Sequence, residues 1–298
     1  MKHDAWRHDL GRYDFTFEIP TRYSDVDTLR HLNNSALSGL HQEARHRFLV
    51  DRLGDAFWRA RGPRLLAARV TTEFLLESQY PQAMQAAVRT TALDQQTLTL
   101  ASALFQDGHC VGLQQAQLAA SDRGQVIDLP PTWVSALGTL EPALASDRRS
   151  DKPVPPALSQ FVQRGELDTR YADLEATGRI SELALMRSSE QGRSTLLRAA
   201  FATLGDSAER AWLGMLVARV DLHLLQHAPL PPRWQLGSGV GHLGRSSVVL
   251  RVAFFDQHAH CAAYADSVLV FVDRKAGKPV AMPDVIRQLL DQQRLLAP

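Results

Sequence analysis

Apolar and polar residues alternate through residues 15–23 (FTFEIPTRY), the period-two pattern of a strand with one face buried. The period then lengthens. Leu37, Leu40, Ala44, Phe48 and Leu49 follow at helical spacings, so one helix face is apolar and must lie on something. Asn33, Asn34 and Ser35 supply helix-start chemistry, and Gly54 a stop. Beyond it, residues 68–78, 85–95, 96–106 and 109–121 read as four strands, parted by turn residues such as Tyr80-Pro81 and Asp107-Gly108. A second helix is predicted over 133–140.

The same order is written twice. Residues 21–49 align without a gap on residues 169–197, pairing Thr21, Arg22, Tyr23 and Asp25 with Thr169, Arg170, Tyr171 and Asp173, and Ala36, Leu37, Arg45 and Leu49 with Ala184, Leu185, Arg193 and Leu197. Polar residues between them diverge: Asp27 faces Glu175, His31 faces Arg179, and Asn33 and Asn34 face Ser181 and Glu182. Strands over 218–226, 233–241, 246–256 and 262–274 repeat the first four, and a helix over 283–296 repeats the last one. Residues 141–158 mix proline with charge and show no period, which is linker composition. The pattern therefore predicts an α+β protein of two similar domains: 1–145, a linker over 146–160, and 161–298. One helix covers one sheet face, so two such units pair naturally by extending a single sheet.

Composition narrows the partners. With 33 Lys and Arg against 32 Asp and Glu, the net charge of +1 provides no general field for nucleic acid or an anionic membrane. No apolar run reaches the roughly 20 residues of a spanning helix, and the first residues lack a signal-peptide segment, so a cytoplasmic location is expected. Cys110 and Cys261 occupy matching places in the two halves and read as buried thiols.

Between first strand and helix, Arg22, Tyr23, Asp25, Asp27, His31, Asn33 and Asn34, followed on the helix by Glu43, Ala44 and Arg45, resemble the motif of hotdog-fold thioesterases of the 4-hydroxybenzoyl-CoA thioesterase type. Leu243 to Ser247 (LGRSS) resembles a segment opening a late strand in that family. The resemblance implies a double hotdog, with two long helices each packed on an antiparallel sheet in an intramolecular pseudo-dimer. It also implies hydrolysis of an acyl-CoA or acyl-carrier-protein thioester, no cofactor beyond the coenzyme A of the substrate, and a groove walled partly by the second half. A homodimer of such pseudo-dimers is compatible with exposed edges and helices. Arg30 departs from the family, which usually has Gly there, and Leu37 and Leu40 replace common aromatics.

Thioester hydrolysis needs a base or nucleophile and donors for the oxygen that becomes negative. Asp27 is the candidate for the first task, or else the aspartate of an Asx-turn. Asp25, retained as Asp173, better fits a structural role. His31 and Asn33 are candidates to hold water or orient the carbonyl, and Asn34 to contact substrate; helix capping is the alternative for both asparagines. Glu43 is a second carboxylate at the site or a partner for Arg45 or Arg47 on the solvated face. Arg245, Ser246 and Ser247 are candidate groove residues or an ordinary strand start.

Three other signals fail. Gly239, Gly241 and Gly244 match the spacing of a dinucleotide-binding loop, but a strand pattern follows where that loop must open a helix. His41 and His46 are five apart, not the four of the zinc-protease motif, and His223 and His227 lie in a strand and its exit, so no metal site is expected. A non-hydrolytic acyl-thioester-binding or regulatory protein is the main alternative. A hotdog dehydratase or hydratase is poorly supported, because the D-x-N-x-x-H arrangement is absent.

Overall fold

The computed structural model describes residues 2–59, 62–138, 154–176, 178–205, 212–225 and 233–297. The chain divides into two compact units, Met1–Lys152 and Pro153–Pro298. Most of the expected linker lies outside the described residues. Leu158, near its end, packs against Phe161, Ala253, Phe255 and Tyr264 of the second unit.

In the first unit, β1 (Phe15–Ile19) is followed by α1 (Asn34–Leu53), the short α2 (Asp55–Arg59), and then β2 (Arg64–Phe74), β3 (Met84–Leu93), β4 (Thr97–Gln106) and β5 (His109–Asp122). The two-residue β6 (Gln125–Val126) and α3 (Pro131–Ala136) end it. The strands pair antiparallel in the order β1-β3-β4-β5-β2. α1 lies across β3, β4 and β5. Asn33 caps it by accepting the Ser35 amide at 2.6 Å, and Gly54, at a φ of 77° that favours glycine, ends it. Phe48, Leu49, Leu98, Leu100 and Leu118 are fully buried between helix and sheet, each such side chain stabilising the fold by about 1.5–3 kcal/mol. The opposite face is covered by the N-terminal segment, where Trp6 and Tyr13 pack on Ala87, Ala103, Phe105 and Leu113.

The second unit repeats this plan. β7 (Gln163–Asp168), α4 (Glu182–Ala200), β8 (Leu213–Leu224), β9 (Arg233–Leu243), β10 (Ser247–Phe255) and β11 (Cys261–Asp273) give the antiparallel order β7-β9-β10-β11-β8. α4 lies on β9, β10 and β11. The final helix, α5 (Asp284–Asp291), buries Ile286 and Leu290 against Val240, Leu250 and Phe271. It is shorter than 283–296 because the chain then leaves helical geometry: Val240 N donates to Gln293 O and Leu295 N donates to Val240 O.

Several boundaries move for identifiable reasons. β1 stops at Ile19 because Pro20 has no amide to donate and residues 23–25 tighten into a single 3-10 turn. β2 begins and ends four residues early. Leu75 and Leu76 leave the ladder with their amides on Val111 O, freeing Ser78 O to accept from Leu32 N. α3 starts at Pro131, a favoured first helical residue, and ends at Ala136. Two glycines of β9 serve packing: a Cβ at Gly237 would enter the Phe161 ring, and one at Gly239 would lie 2.6 Å from Leu295 Cδ2. Both cysteines are free, and burial pushes their thiols up, Cys110 to about 11 and Cys261 to about 12. No described helix is long and apolar enough to cross a membrane.

Candidate active site

The connection from β1 to α1 is built around Asp25. This buried carboxylate accepts from Arg22 N at 2.9 Å, Arg22 Nε at 3.1 Å and Arg22 Nη2 at 3.0 Å, while Asp25 O receives the Asn33 amide at 2.8 Å. One residue thus ties the entry of the loop to the start of α1. Val26 and Leu32 form a β-bridge, and Asp27 N donates to His31 O at 2.9 Å, so residues 27–31 make a closed turn.

Asp27 heads that turn and is half-buried. Its Oδ1 accepts the Leu29 amide at 2.8 Å and the His31 amide at 3.3 Å, the Asx-turn arrangement. Its Oδ2 has no hydrogen-bond partner among the described residues. The turn therefore fixes the carboxylate by one oxygen. His31 projects its Nε2 to within 3.4 Å of Glu77 Oε2. Glu77 was missed in the sequence, where it sits inside an expected strand; it takes part because the chain has left the ladder after Phe74.

Asn33 spends its side-chain oxygen on the helix cap, and Asn34 is the half-buried first residue of α1, its carbonyl accepting from Ser38 Oγ at 3.0 Å. Glu43 is exposed and pairs with Arg47 at 2.7 Å, one helical turn on. Arg45 is not on the solvated face. It is buried, its Nη1 donating to Gln114 Oε1 at 2.8 Å, and Gln114 donates in turn to Thr72 Oγ1 at 3.0 Å. Arg245, Ser246 and Ser247 lie in the second unit, in the β9–β10 hairpin closed by Gly244 N on Ser247 O. Met282 N donates to Arg245 O and Phe271 N to Ser246 O. Their carbonyls thus tie the hairpin to β11 and to the segment before α5.

Beneath α1, His41 is fully buried with Nδ1 2.8 Å from Ser102 Oγ, and its Nε2 has no hydrogen-bond partner among the described residues. Burial, with the charges of Arg45 and Arg7, pushes it down to about 3, so it is neutral at physiological pH. His46 turns elsewhere, to Gln42 O at 2.8 Å. His223 stacks on Tyr264 with ring centroids 4.5 Å apart. His227 lies outside the described residues, among which no group of three ligating side chains is placed to hold a metal ion. A cleft of about 590 Å³ between the N-terminal segment and the β3 and β4 ends is lined by His8, Asp9, Glu18 and Met84, and by no residue of the Asp27 turn.

The same loop is rebuilt in the second unit. Asp173 accepts from Arg170 N, Nε and Nη2 at 2.9, 3.3 and 3.1 Å, Leu174 bridges Ile180, and Glu175 N donates to Arg179 O at 2.8 Å. Gly178 occupies the left-handed position at φ 77°; in the first loop that position is Arg30 at φ 67°. An L side chain there costs about 1–2 kcal/mol.

Residues 21–137 match the model of the thioesterase-like superfamily. A comparison with curated sequences finds no match. Among solved structures, the chain is similar to a 12:0-ACP thioesterase from Umbellularia californica, with a TM-score of 0.66, 14% identity, and coverage of 87% of this chain and 94% of that one. It is likewise similar to an acyl-ACP thioesterase from Bacteroides thetaiotaomicron, with a TM-score of 0.64, 12% identity, and coverage of 87% and 97%. At these identities the likeness establishes the hotdog fold.

Proposed function

We infer, from a hotdog chain whose first unit belongs to the thioesterase-like superfamily, that the protein hydrolyses acyl thioesters to a free acid and a thiol. The observation that carries the reading is the state of Asp27: Oδ1 is held by two backbone amides, and Oδ2 meets no donor among the described residues. Such a carboxylate is oriented without being neutralised by a cation. Acting as base, Oδ2 takes a proton from water as the oxygen attacks the thioester carbon; the tetrahedral intermediate then expels the thiolate, which recovers the proton. Acting as nucleophile, Oδ2 attacks the same carbon and expels the thiolate, leaving a mixed anhydride that water cleaves.

The α1 N-terminus, with its positive dipole end, supports the developing oxyanion, and His31 and Asn34 line the approach. Asn33 contributes by fixing that helix start. CoA and carrier-protein thioesters are the substrate class, with the cytoplasm as the compartment, where two free thiols persist. The test is thiol release across a panel of acyl-CoAs and acyl-carrier proteins. Turnover of at least one is expected, and none on any member would leave a binding or regulatory protein instead. A single turnover in ¹⁸O water tests the nucleophilic route: label in Asp27 arises only when water cleaves the anhydride at the aspartyl carbon, a step the base route lacks.

A further inference from the structure

The connection that carries Asp27 is tied down from outside at both ends. At its entry Thr21 Oγ1 donates to Gln82 O at 3.1 Å, and at its exit Leu32 N donates to Ser78 O at 2.9 Å. Between these points His31 Nε2 lies 3.4 Å from Glu77 Oε2, and the Tyr23 and Tyr80 rings meet edge to face with centroids 6.1 Å apart. All four contacts come from one stretch, residues 77–82, which joins β2 to β3 and belongs to no strand or helix.

Such a stretch needs an anchor of its own. Of residues 77–82 only Ser78 is buried, so packing does little to hold the segment. Its hold on the sheet is Gln106, the last residue of β4, whose side chain is buried. Gln106 Oε1 accepts from Gln79 N at 2.8 Å, and its Nε2 donates to Gln79 O at 2.8 Å and to Gln82 O at 3.1 Å. One side-chain amide thus gives both its donors and its acceptor to the segment, which a carboxylate in the same place could not do. The second unit has the carboxylate. Asp256 follows Phe255 as Gln106 follows Phe105, and it accepts instead from His258 N at 2.8 Å and His260 N at 2.9 Å in its own hairpin. The same sheet forms around that hairpin, so the Gln106 clamp serves the connection rather than the fold.

We propose that Gln106 is a positioning residue for hydrolysis: through Gln79 and Gln82 it sets the 77–82 segment, and through Thr21, His31 and Leu32 that segment sets the Asp27 carboxylate. The last link is the His31 amide, which donates to Asp27 Oδ1 at 3.3 Å. A site holds its geometry through such supporting hydrogen bonds, and displacement of a reacting group by about 1 Å costs about 10²-fold in rate. The kinetic consequence rests on the hydrolase reading above; the structural one is read without turnover.

The test compares wild type with Gln106→Leu and Gln106→Glu, by thiol release and by the ring Cε1–H NMR signal of His31, identified by its disappearance in His31→Asn. Gln106→Leu is expected to lower kcat about 10- to 100-fold with KM within about twofold of wild type, and to shift the His31 signal. Gln106→Glu has the same shape, keeps the acceptor for Gln79 N and loses the donors. It should show both changes to a smaller degree, and it carries the test should the leucine variant not fold. A role confined to stability would lower Tm and leave kcat and the His31 signal of the folded protein unchanged. Wild-type kcat in the folded variants, a raised KM with kcat retained, or an unmoved His31 signal would each overturn the proposal. Absence of thiol release from wild type would remove the hydrolase reading, while a shifted His31 signal in the Gln106 variants would still uphold the clamp on the Asp27 turn.

Discussion

The β1–α1 loop of the first unit and the β7–α4 loop of the second have one backbone and two chemistries. Both are closed by an Arg–Asp clamp, a β-bridge and a capped helix. In the first, the clamp surrounds Asp27, Arg30, His31 and Asn33; in the second, Glu175, Gly178, Arg179 and Ser181. The layers beneath the helices differ in the same direction. Under α1 lie His41, Ser102, Gln114 and Thr72, whereas under α4 Gly192 packs against Val252 and Arg193 donates to Ser267 Oγ at 3.2 Å. Residues that hold the frame are common to both copies, whereas the polar residues carried on that frame differ between them.

The sharpest stability contrast concerns His41, whose counterpart is Ser189. A neutral buried imidazole whose folded pKa lies near 3, against about 6.5 unfolded, leaves stability untouched above pH 6.5; as pH falls below that value the unfolded state takes up the proton first. Stability should fall by about 1.4 kcal/mol per pH unit between about 6.5 and 3 from this one group. Denaturant midpoints against pH will show the slope in wild type and a flatter curve in His41→Gln; superimposed curves would break the contrast between the two layers.

A smaller, symmetrical effect belongs to the frame. Asp25→Ala and Asp173→Ala each remove a carboxylate that accepts three hydrogen bonds from one arginine, and each should cost about 2 kcal/mol. Thermal unfolding that penalises only one of them would deny that the clamps are equivalent. Smallest is Glu43→Ala. Its exposed pair with Arg47 is worth about 0.2–0.5 kcal/mol, and thiol release should be unaltered; a large loss of rate would move Glu43 into the chemistry.

Much of this architecture was legible in residue order. The Asn33 cap and the Gly54 stop have local chemistry, so both were readable. Strand ends were less so, because Leu75 and Leu76 continue an apolar run after the ladder stops; only the contact of Ser78 O with Leu32 N explains the departure. Helical spacing could not show that Arg45 is buried, since its partner Gln114 is distant in sequence. Asp27 is visible in the sequence as a motif residue and as an Asx-turn residue, and the structure shows the turn, made through Oδ1. Glu77 gave no signal, because a contact between a loop and a strand exit has no period.

The central claim is that reactivity resides in one of two equal frames. The direct measurement is the kcat of thiol release by Asp27→Asn and Glu175→Gln, side by side on the acyl thioester wild type turns over fastest. Asp27→Asn should lower kcat by about 10²–10⁴-fold with its fold intact, and Glu175→Gln should stay close to wild type. Equal losses in the two variants, or an Asp27→Asn enzyme as fast as wild type, would contradict it.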